Sequence, residues 1–128
     1  MVYSQDLEQK VLGGLLKHQE VYPEIASYLS SDDFVHDLHQ TIYSLISRAL
    51  NDRETIDKSI LIHRLKNLGI SFRDNVDPSD YVNSLTLIQA SPKSIVQAVK
   101  ELKIVTRRRE FVEVADNIKR KMLKGGNM

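Results

Sequence analysis

The sequence predicts an all-α protein, a compact bundle of about five short helices followed by a long protruding C-terminal helix. Three observations carry that expectation. Apolar residues recur at helical spacing along nearly the whole chain. Ser, Asp and Pro stand where those periodic stretches begin. From Pro92 to about Lys124 no glycine and no further proline interrupts the pattern.

Ser4 is suited to cap a first helix, with Asp6 and Glu8 in its opening turn and Leu7, Val11 and Leu15 on one face. The Gly13-Gly14 pair costs that helix about 1 kcal/mol per glycine relative to alanine. No strand precedes it and no third glycine or lysine stands at P-loop spacing, so it is expected to mark a close helix–helix approach. Pro23 suits the first position of a short second helix carrying Ile25, Ala26 and Leu29. Ser30-Ser31-Asp32-Asp33 punctuates next, a cap-like turn in which local hydrogen bonding accounts for the paired carboxylates.

A third helix is expected from about Asp37, with Leu38, Ile42, Leu45, Ile46 and Ala49 on one stripe. Asp57 suits the cap of a fourth, bearing Leu61, Leu65 and Leu68. Gly69 falls where a left-handed C-terminal cap belongs, with Ile70 folding back on the last turn. Ile70 to Val76 reads as loop. Asp77-Pro78-Ser79-Asp80 starts a fifth helix presenting Val82, Leu85 and Ile88, and Ser91-Pro92 repeats the start signal for the sixth. The expected division is a globular bundle over residues 1–90 and a long arm over residues 91–128.

The sixth helix would be a rod of about 48 Å at 1.5 Å per residue. A compact globule of this length has a radius of gyration of about 14 Å, hence a diameter of about 36 Å, so the rod must stick out or kink. At 100° per residue, Ile95, Ala98, Val99 and Leu102 share one face. Ile104, Phe111, Ala115, Ile118 and Met122 share another, about half a turn round, with Arg108 at the intervening core position. The changeover falls at Thr106-Arg107-Arg108-Arg109. Burying five such side chains is worth on the order of 5–10 kcal/mol, so the second face is expected to be covered by another chain or by a segment beyond residue 128.

Composition narrows the function classes. Across 128 residues, 41% are hydrophobic and 27% charged, the balance of a folded domain, and the absence of cysteine removes disulfide scaffolds, Cys-based zinc sites and Cys nucleophiles. No apolar run reaches the roughly 18 residues of a membrane span and no secretory h-region opens the chain. A soluble, cytoplasmic domain is expected. The net charge of +1 conceals an asymmetry: Met1 to Val99 holds 9 basic and 13 acidic residues, whereas Lys100 to Met128 holds 9 basic and 4 acidic. Arg107-Arg108-Arg109 is open to contact with phosphate, with an acidic partner or with water alone. The solvated helix face is the favoured reading, because Phe111 is the one aromatic among the basic residues and single-strand binders present several.

Catalytic chemistry is sought without success. His36 and His39, beside Asp33 and Asp37, loosely imitate metal-ligand spacing, but no further ligands follow at recognisable distances, and a helix-start or core role is favoured. No nucleophile turn of the G-x-S-x-G type occurs.

Several spacings, taken together, resemble a known family. Glu8-Gln9-Lys10-Val11-Leu12-Gly13-Gly14-Leu15 is similar to the opening helix of the N-terminal domain of DnaB-type replicative DNA helicases. The likeness continues through Asp33-Phe34, His39 with Ile42-Tyr43, Ile56-Asp57 with Leu61, Leu65 and Gly69, Asp80-Tyr81 with Leu85, Ser91-Pro92, and Arg109-Glu110 through Ala115 to Ile118. The sequence departs from the pattern at Ile70 to Val76, which replaces a glycine-containing turn, and between Tyr81 and Pro92, which is longer.

The resemblance implies that the last helix is the first arm of a helical hairpin. It further implies a domain that shapes a hexameric ring, often as a trimer of dimers, and docks primase and helicase loaders. ATP, magnesium and the residues that handle them belong, by the same resemblance, to a separate motor domain, so this chain is expected to be non-catalytic, with no cofactor of its own; the acidic body and the short arginine triplet leave contact with DNA only indirect or weak. The expected protein interface is Ile104, Arg107, Arg108, Phe111, Ala115, Ile118 and Met122. The alternative is a stand-alone helicase-binding module, such as a primase's helicase-interaction domain or a phage loader, since such domains resemble the same helical fold.

Overall fold

The computed structural model describes residues 5–125, with side chains described through Leu123. Its helices are α1 (Gln5–Lys17), α2 (Tyr22–Ile25), α3 (Asp37–Asn51), α4 (Lys58–Asn67), α5 (Pro78–Thr86) and α6 (Pro92–Gly125). Short 3-10 turns lie at Gln19–Val21, Ser31–Asp33 and Arg73–Asn75, and there is no strand among the described residues. The Ser4 cap falls outside the described residues.

The helix starts follow the capping residues. The Asp57 carboxylate accepts from the Ile60 amide at 2.8 Å, and that of Asp77 from the Ser79 amide at 3.1 Å. Ser91 and Ser94 exchange side-chain-to-backbone hydrogen bonds at 2.9 and 3.1 Å, closing the first turn of α6. The His36 imidazole accepts from the Leu38 amide at 3.2 Å and so begins α3.

Several ends differ from expectation. The second helix stops at Ile25, and Leu29 reaches the core from the following turn. The fifth stops at Thr86, leaving Ile88 half-buried beyond its end. Gly69 does adopt the left-handed conformation, with φ of 64°, but Leu68 and Ile70 both face solvent and no fold-back forms. Within the expected loop, Asp74 and Asn75 also take positive φ, which their short polar side chains tolerate, and the turn so made buries Phe72. Arg53, just past α3, takes the same conformation at 60°, and nothing in its residue type foretells it.

One core joins every helix. Val11, Leu12 and Leu15 of α1 meet Leu38, Ile42 and Ile46 of α3, Leu61 and Leu65 of α4, Val82 and Leu85 of α5, and Ile95, Val99 and Leu102 of α6. The glycine pair sits at the tightest crossing. A β-carbon on Gly13 would strike the backbone carbonyl of Leu85, and one on Gly14 would lie 2.5 Å from Ile95 Cγ1. The two glycines therefore let α1 lie against α5 and α6 at once.

A buried polar chain runs through this apolar core. Gln9 donates to the Tyr81 hydroxyl at 3.0 Å, Tyr81 donates to His39 Nε2 at 2.5 Å, and His39 Nδ1 donates to Glu8 at 2.8 Å. Glu8 also accepts from the Val35 amide at 3.0 Å. With donation in that direction, every member is partnered, as a fully buried histidine and glutamate require. His36 and His39 are thus a cap and a core residue.

The glycine contacts set a stability order. Gly13→Ala gains helix propensity of about 1 kcal/mol but drives a methyl into a backbone carbonyl, for a net loss of about 1–2 kcal/mol in urea unfolding. Gly14→Ala meets a side chain rather than backbone and should lose less; equal losses at the two positions would contradict this packing.

A candidate protein-interface arm

The site is built by one helix that changes what it serves along its length. Over its first four turns α6 packs Ile95, Ala98, Val99 and Leu102 into the core, and Thr106 closes the buried row. Beyond Thr106 the face turned toward the bundle becomes polar (Arg109, Glu113, Asn117 and Arg120), and from Glu110 to Leu123 every residue is exposed. At about 51 Å for its 34 residues, α6 outruns the bundle, and no break interrupts it.

A clamp on the turn before α3 holds the helix where it leaves. Asp33, 1% exposed, caps its own turn by accepting from the Ser30 amide at 2.9 Å, and also receives Lys103 Nζ at 3.1 and 3.2 Å. The Thr106 hydroxyl points at the Asp33 carbonyl at 3.5 Å, and Arg109 donates to the Asp32 carbonyl at 3.0 Å. Local spacing places Asp32 and Asp33 in a cap-like turn and points to nothing further. Their hold on α6 spans some seventy residues of chain and has no signature in local spacing. Close by, burial pushes the Tyr43 phenol well above its ordinary range, with Tyr22 and Asp33 adding to the effect, and its hydroxyl donates to the Leu29 carbonyl at 3.3 Å.

Beside the clamp lies a groove of about 670 Å³ between Asp32, Phe34, Val35 and Gln40 of the bundle and Arg109, Val112 and Glu113 of α6. Arg109 Nη1 is buried there with no hydrogen-bond partner among the described residues.

All seven residues expected at an interface lie on the arm or at its root, and all are exposed in the single chain. Phe111 is 73% exposed, Ile118 54% and Met122 71%; Ile104, at the root, is less so at 41%. Arg107, Arg108 and Ala115 are exposed as well. The apolar surface is wider than the five-residue seam, because Val112, Val114 and Leu123 are also exposed. They sit to either side of the stripe, where a search for one narrow helical face passes them by. Among the described residues no group of His, Asp and Glu could hold a metal, and no helix is long and apolar enough to cross a membrane.

The comparisons with known proteins converge on one family. The model of the DnaB-like helicase N-terminal domain matches residues 1–106, ending at the last buried residue of α6. The crystal structure of the N-terminal domain of DnaB helicase from Mycobacterium tuberculosis matches with a TM-score of 0.86 and 19% identity, over 98% of this chain and 89% of that one. At that identity the likeness carries the fold.

The clamp has a measurable consequence. Asp33→Ala removes a cap and the partner of Lys103, and should destabilise by about 2 kcal/mol in chemical denaturation, with faster amide exchange across residues 99–109. Lys103→Met, which leaves the buried Asp33 carboxylate with the Ser30 amide alone, should also destabilise, by about 1–3 kcal/mol. An Asp33→Ala chain as stable as wild type would show that the clamp holds nothing.

Proposed function

Because the chain belongs to the family of DnaB-like helicase N-terminal domains, we propose that it is the assembly and docking domain of a replicative hexameric helicase, acting in DNA replication through protein–protein contacts made by its arm. The observation that carries this reading is the apolar surface of α6 beyond Thr106, raised clear of the bundle and exposed along its length. An isolated domain gains nothing from seven exposed apolar side chains on one protruding helix, whereas a ring subunit gains a contact.

The occupants proposed for that contact are neighbouring subunits during ring assembly, primase and the helicase loader. The bundle fixes where the arm points; the arm makes the contact. ATP hydrolysis is assigned to a motor domain outside these residues, and the arm's basic residues are assigned to protein rather than DNA.

Charged substitutions on the arm test this directly. Phe111→Asp and Ile118→Asp alter exposed positions, so both chains should keep the wild-type thermal midpoint and helicity. They should lose the associations of the arm, read by sedimentation velocity for self-association and by co-sedimentation with the cognate primase. Unchanged association in every assay would overturn the proposal.

A further inference from the structure

The groove at the root of the arm lies on the other side of α6 from the apolar stripe. At about 100° per residue, Arg109 and Glu113 stand roughly half a turn from Phe111 and Ile118, so whatever covers the stripe leaves the groove free. Its lining is apolar at Phe34, Val35 and Val112. The polar groups around that lining are only partly used. Arg109 gives Nη2 to the Asp32 carbonyl and keeps Nη1 without an acceptor. Gln40 gives its side-chain amide to the Phe34 carbonyl at 2.7 Å, while its Oε1 accepts from no group among the described residues. The carboxylates of Asp32 and Glu113, both exposed, have no hydrogen-bond or ion-pair partner among the described residues.

We infer that this groove is a second docking site, separate from the stripe. Its occupant is a short extended segment of a partner protein, carrying an apolar side chain next to a lysine or arginine. At about 670 Å³ the groove has the size of an ordinary ligand cleft, roughly 300–1,000 Å³. Each feature of the occupant answers one of the groove. The apolar side chain covers Val35 and Val112. A backbone carbonyl supplies the acceptor that Arg109 Nη1 lacks, and a backbone N–H supplies the donor for Gln40 Oε1. An extended segment offers both groups, whereas the interior of a helix has already paired them. Arg109 Nη1 is closed to water as well as to protein, so it gains its acceptor as the guanidinium tilts into the groove on its Nη2 bond. The adjoining cation then lies between Asp32 and Glu113, whose two negative charges outnumber the one positive charge of Arg109. An acidic occupant would meet Arg109 but set its charge against both carboxylates.

The probes are three capped tetrapeptides: acetyl-Gly-Leu-Lys-Gly-amide, a twin with Glu in place of Lys, and a twin with Gly in place of Leu. Each is titrated into the intact, isotope-labelled chain and followed by NMR chemical shift. The Leu-Lys peptide should give saturable shifts at the Gln40 side-chain amide, the Arg109 Nε–H and the Val112 methyl groups. The Glu twin should bind about tenfold or more weakly at low salt, with the gap narrowing as salt rises. The Gly twin should show no saturable shift. Asp32→Asn/Glu113→Gln should bring the Lys and Glu peptides to within about twofold of each other. Phe111→Asp should leave the Leu-Lys titration unchanged.

Three results overturn the inference: no saturable shift at Gln40 and Arg109, equal or tighter binding of the Glu twin, or saturation by the Gly twin. Loss of Leu-Lys binding in Phe111→Asp also overturns it, because that result places the peptide on the stripe, and the docking role of the arm stands. Failure of the arm's role looks different: Phe111→Asp and Ile118→Asp then leave every association in sedimentation unchanged, whatever the peptides do.

Discussion

A helix that must both complete a core and reach beyond it needs its exit fixed, and in this chain the exit is fixed at a single buried carboxylate. Asp33 accepts from the Ser30 amide and from Lys103 Nζ, while its own carbonyl faces the Thr106 hydroxyl. A carboxylate taken out of water is tolerated only when its oxygens are occupied. The two requirements therefore reinforce one another: the cap that shapes the turn before α3 is satisfied together with the last buried turn of α6. Arg109, donating to the neighbouring carbonyl of Asp32, extends the hold by one more turn. Without this pairing the apolar contacts of Ile95, Val99 and Leu102 would still attach α6, but nothing polar would fix how it rotates and tilts where those contacts end.

The rotation of the helix decides what the arm presents. Since α6 is continuous, the face that docks on the bundle at Leu102 determines by 3.6-residue geometry which face looks outward at Phe111. Docking through Ile95, Ala98, Val99, Leu102 and Thr106 turns Phe111, Ala115, Ile118 and Met122 away from the bundle. The glycines of α1 contribute to the same end, because only their missing β-carbons let α1 lie close to Ile95 and to the backbone at Leu85. Core packing and presentation of the arm are thus one constraint.

What could be read from the sequence follows from which forces act locally. The helices of the bundle, their aspartate and proline starts, and the reversal of the apolar face along α6 were all legible, since capping and periodicity act within a few residues. The glycine pair was legible as a close approach, though not which helices it admits. The early ends of α2 and α5, the exposure of Leu68 and Ile70, and the burial of Phe72 were not, because tertiary packing decides them. The clamp of Lys103 and Arg109 on the Asp32-Asp33 turn and the chain from Gln9 through Tyr81 and His39 to Glu8 were hidden for the same reason, their partners lying far apart in sequence. On the arm, the seam was legible as a narrow stripe, and Val112, Val114 and Leu123 were missed because they widen it rather than continue it.

The arm also raises a question of helix stability that the bundle answers. A stretch such as Glu110 to Leu123 is short for an isolated helix in water, where lengths below ~12–15 residues are marginal because the first turn is costly to form. Here that cost is already met. The buried half of α6 is an established helix, held by core contacts and by the clamp, and each further residue needs only to propagate it. Arg120, donating to Asn117 at 2.8 Å on the arm's polar side, adds a local contact, and the stretch from Lys93 to Lys124 contains no glycine or proline to interrupt propagation. A partner of the kind proposed would therefore meet a surface ordered in advance, and the entropy of forming the arm would not be charged against binding. In the proposed docking role, the bundle supplies the nucleus from which the arm grows.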